Sequence, residues 1–144
     1  MHQFGYAVKL TPVKEGGFVV ICRDLPEIIT QGENMHDALE QASDAMAEAF
    51  AMRIEDELDF PAASNPKRGE YKVSPPAAMV AKAALYVAMQ ETGLSKSELA
   101  RKLGVNEKEV RRMLDPHHST RLPSLDKAIR ALGKKLTVRL EEAA

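Results

Sequence analysis

LSKSELARKLGVNEKEVRRML, residues 94–114, decides how the back half of this chain is read. Leu99, Ala100 and Leu103 recur at helical spacing, and Ala100 is small enough to let a second helix cross closely. Ser95 or Ser97 supplies an N-cap, and Gly104 sits where the chain must leave the first helix with positive φ. Val105 is expected to fill the elbow, Asn106 to cap the second helix, and Val110 and Leu114 to face inward. The outer face then carries Glu107, Lys108, Arg111 and Arg112, side chains long enough to reach base edges and phosphates. Any amphipathic helical hairpin shares the apolar spacing. The elbow chemistry, the Asn cap and the basic outer face together predict a DNA-binding helix-turn-helix.

The motif runs straight into Asp115–Arg121, DPHHSTR. Adjacent histidines cannot easily aim at one ion from an extended loop, and a zinc site needs three or four ligands. A hydrolytic triad needs a nucleophile on a rigid elbow such as Gly-x-Ser-x-Gly, which is missing. By position the loop follows the recognition helix. Ser119, Thr120 and Arg121 are phosphate-contacting types, and one of His117 and His118 is expected to donate to the DNA backbone while the other packs beneath the helix. Packing of the whole loop without DNA contact is the alternative. Downstream, Ser124–Leu132 reads as a further helix. Lys135–Leu140, KLTVRL, alternates and can form a terminal strand, pairing with its copy in a second chain.

Upstream the pattern changes from helical to extended. Phe4, Tyr6, Val8 and Leu10 fall on one face of a strand, and Glu15-Gly16-Gly17 forms a turn into the apolar run Phe18–Cys22, so the pair reads as a hairpin. A turn at Asp24-Leu25-Pro26-Glu27 leads to a third strand, Ile28–Gln31, ended by Gly32. Asn34 caps a long helix with apolar positions from Met35 to Ile54, supported by Asp37, and that helix is expected to lie across the sheet. Residues 59–69, DFPAASNPKRG, read as a loop or linker. Glu70–Val73 supplies a last edge strand, and Ser74-Pro75 an N-cap with proline at the first helical position before an alanine-rich helix that Gly93 ends.

Charge divides the chain in the same place. Residues 1–66 hold four basic and twelve acidic side chains, a net of −8, whereas residues 93–144 hold twelve basic and seven acidic, a net of +5. A basic rear module is the electrostatic footprint of a nucleic-acid partner, and an acidic front module suits a partner of opposite charge. Cys22 is the only cysteine, so no disulfide or cysteine zinc site forms within one chain, and its place in FVVIC marks it as a buried small hydrophobe. No apolar run approaches the roughly 18 residues of a membrane span, and MHQFGYAVKL lacks a basic-then-apolar signal pattern. A cytoplasmic protein is expected, nucleoid-associated when bound to DNA.

Two resemblances follow from these motifs. The order Ser97-Glu98-Leu99-Ala100, Leu103-Gly104-Val105, Val110-Arg111-Arg112, Pro123-Ser124-Leu125 and Ala131-Leu132-Gly133 resembles the lambda-repressor-like helix-turn-helix family over residues 93–136. It implies that Lys96 and Ser97 touch phosphates while Asn106, Glu107, Lys108 and Arg111 face the major groove. In front, Glu15-Gly16-Gly17-Phe18, Asp24-Leu25-Pro26, Thr30-Gln31-Gly32-Glu33 and Asp37-Ala38-Leu39 resemble the HicB antitoxin family of bacterial toxin–antitoxin systems, with Glu27 where members often carry glycine. The resemblance implies an α+β protein: a β-β-β-α-β partial ribonuclease-H-like domain over residues 1–73, then an all-α helix-turn-helix domain over 74–144 with a short C-terminal strand.

It also implies the partners. A HicA-type toxin, a small basic ribonuclease of double-stranded-RNA-binding fold that cleaves messenger RNA, would be neutralised by the front domain, with Asp24, Glu27 and Glu33 as contact candidates. Operator DNA of the chain's own operon would be bound by a dimer or tetramer. The rival is a stand-alone regulator whose front domain senses a small molecule or another protein. A nuclease is disfavoured, because two-metal cleavage needs converging carboxylates and the first strand, FGYAVKL, carries none. No enzyme activity, metal or cofactor is expected.

Overall fold

A computed structural model describes residues 2–142. The front half folds as β1 (Tyr6–Pro12), β2 (Phe18–Cys22), β3 (Ile29–Gly32), α1 (Met35–Glu55) and β4 (Glu70–Val73), as an α+β reading requires. All pairings are antiparallel, and the strands lie in the order β3-β2-β1-β4. Positive φ at Gly16 and Gly17 turns the β1–β2 hairpin. The alternation of β1 is realised, with Tyr6, Val8 and Leu10 buried on the α1 side and Lys9 exposed. The strand begins two residues later than its pattern. Phe4 instead joins an edge-to-face aromatic cluster with Phe50 and Phe60 beneath the helix.

α1 crosses the sheet with Ala38, Ala42, Met46, Ala49, Phe50 and Ile54 facing down. Small residues in its first half let it sit close to the strands. Gly32 is the tightest point, since a β-carbon there would overlap the backbone of Ala38. Asn34 Oδ1 accepts from Asp37 N at 2.8 Å, and Asp37 Oδ2 accepts from Glu33 N at 2.8 Å, so both expected roles at the helix start are filled. Cys22 is buried in the same core, and that burial pushes its thiol up.

The rear half is α2 (Ala77–Thr92), α3 (Lys96–Leu103), α4 (Glu107–Leu114) and α5 (Leu122–Ala131). α2 starts two residues later than expected, with its cap moved from Ser74 to Pro76: Pro76 disfavours helical backbone at Pro75, and Pro76 itself, at ψ 144°, becomes the cap. α5 starts two residues early, at Leu122. Val105 does not fill the elbow and is 38% exposed; Val110 is buried and Leu114 packs half-buried against both cores as expected, with Met113 buried beside them. Among the described residues, 135–140 pair with no strand, and Val138 and Leu140 stand almost wholly in solvent.

Two apolar cores share one wall. α2 gives Ala83, Tyr86 and Val87 to the core beneath the sheet, and Ala81, Leu85, Ala88 and Met89 to the core of α3, α4 and α5. Tyr86 also stacks edge-on against Phe60 and donates from its hydroxyl to the Leu58 carbonyl at 2.8 Å, fixing the 59–69 loop.

Candidate nucleic-acid interface

The helix-turn-helix is assembled by local hydrogen bonds that the sequence spells out. Ser95 Oγ accepts from Glu98 N at 3.1 Å and Glu98 Oε1 accepts from Ser95 N at 3.2 Å, a complete capping box. Those bonds hold the Glu98 carboxyl below the usual range, the backbone N–H of Ser95 contributing most. The cap is therefore Ser95, which leaves Ser97 free to bond across the elbow. Its hydroxyl donates to Glu107 Oε2 at 3.1 Å. Gly104 closes α3 at φ 67°, and Asn106 Oδ1 accepts from Glu109 N at 3.0 Å to start α4.

The outer face of α4 is a ladder of charges. Arg111 Nη1 donates to Glu107 at 3.0 Å and Arg112 Nη1 to Glu109 at 2.8 Å. Glu107 thus uses its carboxylate inside the motif, tying the start of α3 to α4 and steering Arg111. Lys96, Lys108 and Arg121 are exposed, and their side chains have no hydrogen-bonding or ionic partner among the described residues. Lys96 and Arg111 line a groove of about 750 Å³ together with Glu55 and Glu57, at and just beyond the end of α1.

The 115–121 loop is held more firmly than its composition suggests. Asp115 Oδ1 accepts from His117 N at 2.9 Å and its carbonyl from His118 N at 3.1 Å, a tight Asx-type turn. That turn sends the His117 ring back toward the front half, where Nε2 meets Glu55 Oε1 at 2.5 Å. His118 Nδ1 lies 3.3 Å from Thr120 Oγ1. Thr120 is itself tied down, accepting from Lys82 Nζ at 2.7 Å. Of the loop candidates, Ser119 and Arg121 point to solvent, His118 is exposed beside Thr120, and His117 and Thr120 are engaged within the fold. Among the described residues no three His, Cys, Asp or Glu side chains are placed to hold a metal ion, and no helix is long and apolar enough to cross a membrane.

The front carboxylates divide in the same way. Asp24 accepts from Ser64 N at 2.8 Å and Ser64 Oγ at 2.7 Å. Glu27 takes two bonds from Arg53, at 2.6 and 2.9 Å, which hold its carboxyl below the usual range. Both acids fasten loops to the core, and only Glu33 of the three stands open. Sequence reasoning passed over Glu40, Asp44 and Glu48, exposed along the outer face of α1. Their four-residue spacing, which stacks like charges, was the available signal.

The family model described as "HicB_like antitoxin of bacterial toxin-antitoxin system" matches residues 5–84. Among curated proteins the chain is 35% identical over 133 residues to Antitoxin HicB of Escherichia coli (strain K12), covering 92% of this chain and 96% of the relative. It is 38% identical to Antitoxin HicB 1 of Photorhabdus laumondii (94% and 86% covered) and 30% identical to Antitoxin HicB of Pseudomonas fluorescens (97% and 96% covered).

Proposed function

This chain belongs to the HicB-like antitoxin family of bacterial toxin–antitoxin systems, and from that premise we propose that it neutralises a HicA-type messenger-RNA-cleaving toxin and represses its own operon. The front domain, residues 1–73, binds the toxin. The rear domain, residues 74–144, binds operator DNA. The observation that carries the DNA reading is the outward presentation of Lys96, Lys108, Arg111 and Arg121 by a fully capped helix-turn-helix. On DNA, Lys96 meets a phosphate, Asn106, Lys108 and Arg111 face the major groove with Glu107 steering Arg111 from beside it, and Arg112, His118, Ser119 and Arg121 approach the backbone.

Two copies are needed for a two-fold operator with half-sites about 34 Å apart. The alternating segment 135–140 supports dimerisation by strand pairing: Leu136 packs against the rear core, while Val138 and Leu140 are left almost wholly exposed among the described residues. For the toxin, the exposed carboxylates Glu33, Glu40, Asp44 and Glu48 form an acidic surface suited to a basic ribonuclease. Asp24 and Glu27 are engaged by Ser64 and Arg53 and hold their own loops instead. The action is steric and electrostatic, without catalysis by this chain.

The test is a Lys108→Ala, Arg111→Ala double variant. Operator affinity in a mobility-shift titration is expected to fall about a hundredfold and the slope of log K against log salt to shrink by about one to two, while toxin neutralisation in a messenger-RNA cleavage assay stays at the parent level. Parent-like operator binding would remove α4 as the reading helix.

A further inference from the structure

Lys82 is the one charged residue among the described residues that is buried as a whole, 5% exposed in the middle of alanine-rich α2. Its three N–H donors are all used: to the carbonyls of Arg112 and Asp115, each at 2.9 Å, and to Thr120 Oγ1 at 2.7 Å. The two carbonyls belong to the last turn and C-cap of α4, where helical backbone leaves acceptors unmatched and a positive charge meets the negative end of the dipole. Thr120 lies on the far side of the loop, and its hydroxyl donates on to the Arg112 carbonyl at 3.4 Å.

We infer that Lys82 is a positioning residue for operator recognition: from the helix shared by both cores it sets the angle of α4 and the height of the 118–121 loop above the DNA backbone. The inference rests on the DNA reading above and assigns a determinant with no DNA contact of its own. A side chain this deep cannot touch a phosphate. Burial pulls its ammonium down to about 8, so the fold bears a cost that an apolar residue would not, and stability alone does not call for a lysine there. The charged groups around it are few. Asp115 opposes the drop, Arg112 is held by Glu109, and His117 of the same loop is held by Glu55; on α2 itself the other titratable groups are Tyr86, bonded to the Leu58 carbonyl, and Glu91, nine positions on and paired with Lys134.

The experiment uses full-length parent, Lys82→Met and Thr120→Val with a duplex spanning the sequence just upstream of this reading frame. Lys82→Met is expected to melt at or above the parent temperature at pH 7, yet bind the duplex about tenfold more weakly with an unchanged salt slope. The parent should also lose affinity in a step centred near pH 8 that Lys82→Met lacks. Amide exchange over residues 112–121 should rise in Lys82→Met whether or not DNA is present. Parent-like affinity and parent-like exchange in a folded Lys82→Met overturn the inference. Should that variant not fold, Thr120→Val decides, with parent-like exchange overturning it. A parent that binds no duplex, with exchange still raised in Lys82→Met, overturns the operator reading and leaves the positioning role standing.

Discussion

A lysine surrounded by alanines must find acceptors or lose its proton, and Lys82 does part of each. Its folded value of about 8 lies below the ordinary 10.5. Between those values the unfolded chain binds more protons than the folded one, so Lys82 makes the unfolding free energy rise with pH, by at most about 1.4 kcal/mol per unit. Cys22 and Tyr6 act in the opposite sense, since burial raises both and their contribution is lost as pH climbs through their ordinary ranges. The difference between parent and Lys82→Met isolates the lysine. In urea unfolding at pH 7, 8, 9 and 10, the stability advantage of Lys82→Met should shrink steadily above pH 8. A constant difference across that range would mean that Lys82 keeps its proton as it does in water. His117 carries the complementary lesson: its residue type and position suggested a phosphate contact or packing beneath the helix, yet a turn made by Asp115 aims it at Glu55, 62 residues earlier in the chain.

At the level of elements, the caps and turns were legible because each is a conversation between neighbours. Asn34, Ser95, Gly104 and Asn106 all do what their types and spacing imply. The departures come where a neighbouring residue or a distant surface intervenes: Pro76 delays α2, and the elbow leaves Val105 half in solvent. Gly32 is a case in which the type was legible and the reason was not. It ends β3 as a strand breaker would, but what excludes a side chain there is the first turn of α1 pressed against it. Gly32→Ala should therefore cost about 3 kcal/mol by overpacking, far more than a strand-end glycine in open space, and chemical denaturation would measure it. A loss under about 0.5 kcal/mol would show that α1 rides higher on the sheet.

The whole molecule is two charge-opposed halves joined by one helix. Because α2 supplies side chains to both cores, neither half can lose it and keep its packing. Calorimetry should record one cooperative transition for the full chain, with calorimetric and van't Hoff enthalpies equal, and two resolved steps would show that the modules unfold independently. The sequence by itself determined the strand–helix order, the helix caps, the acidic front and basic rear, and the helix-turn-helix frame, because periodicity, capping and composition act over a few residues. Only the tertiary structure decided which polar groups remain free for partners. Asp24, Glu27, Glu107, His117 and Thr120 are engaged by Ser64, Arg53, Ser97, Glu55 and Lys82, and all but Glu107 find these partners 26 to 62 positions away in the chain, so only packing reveals those four.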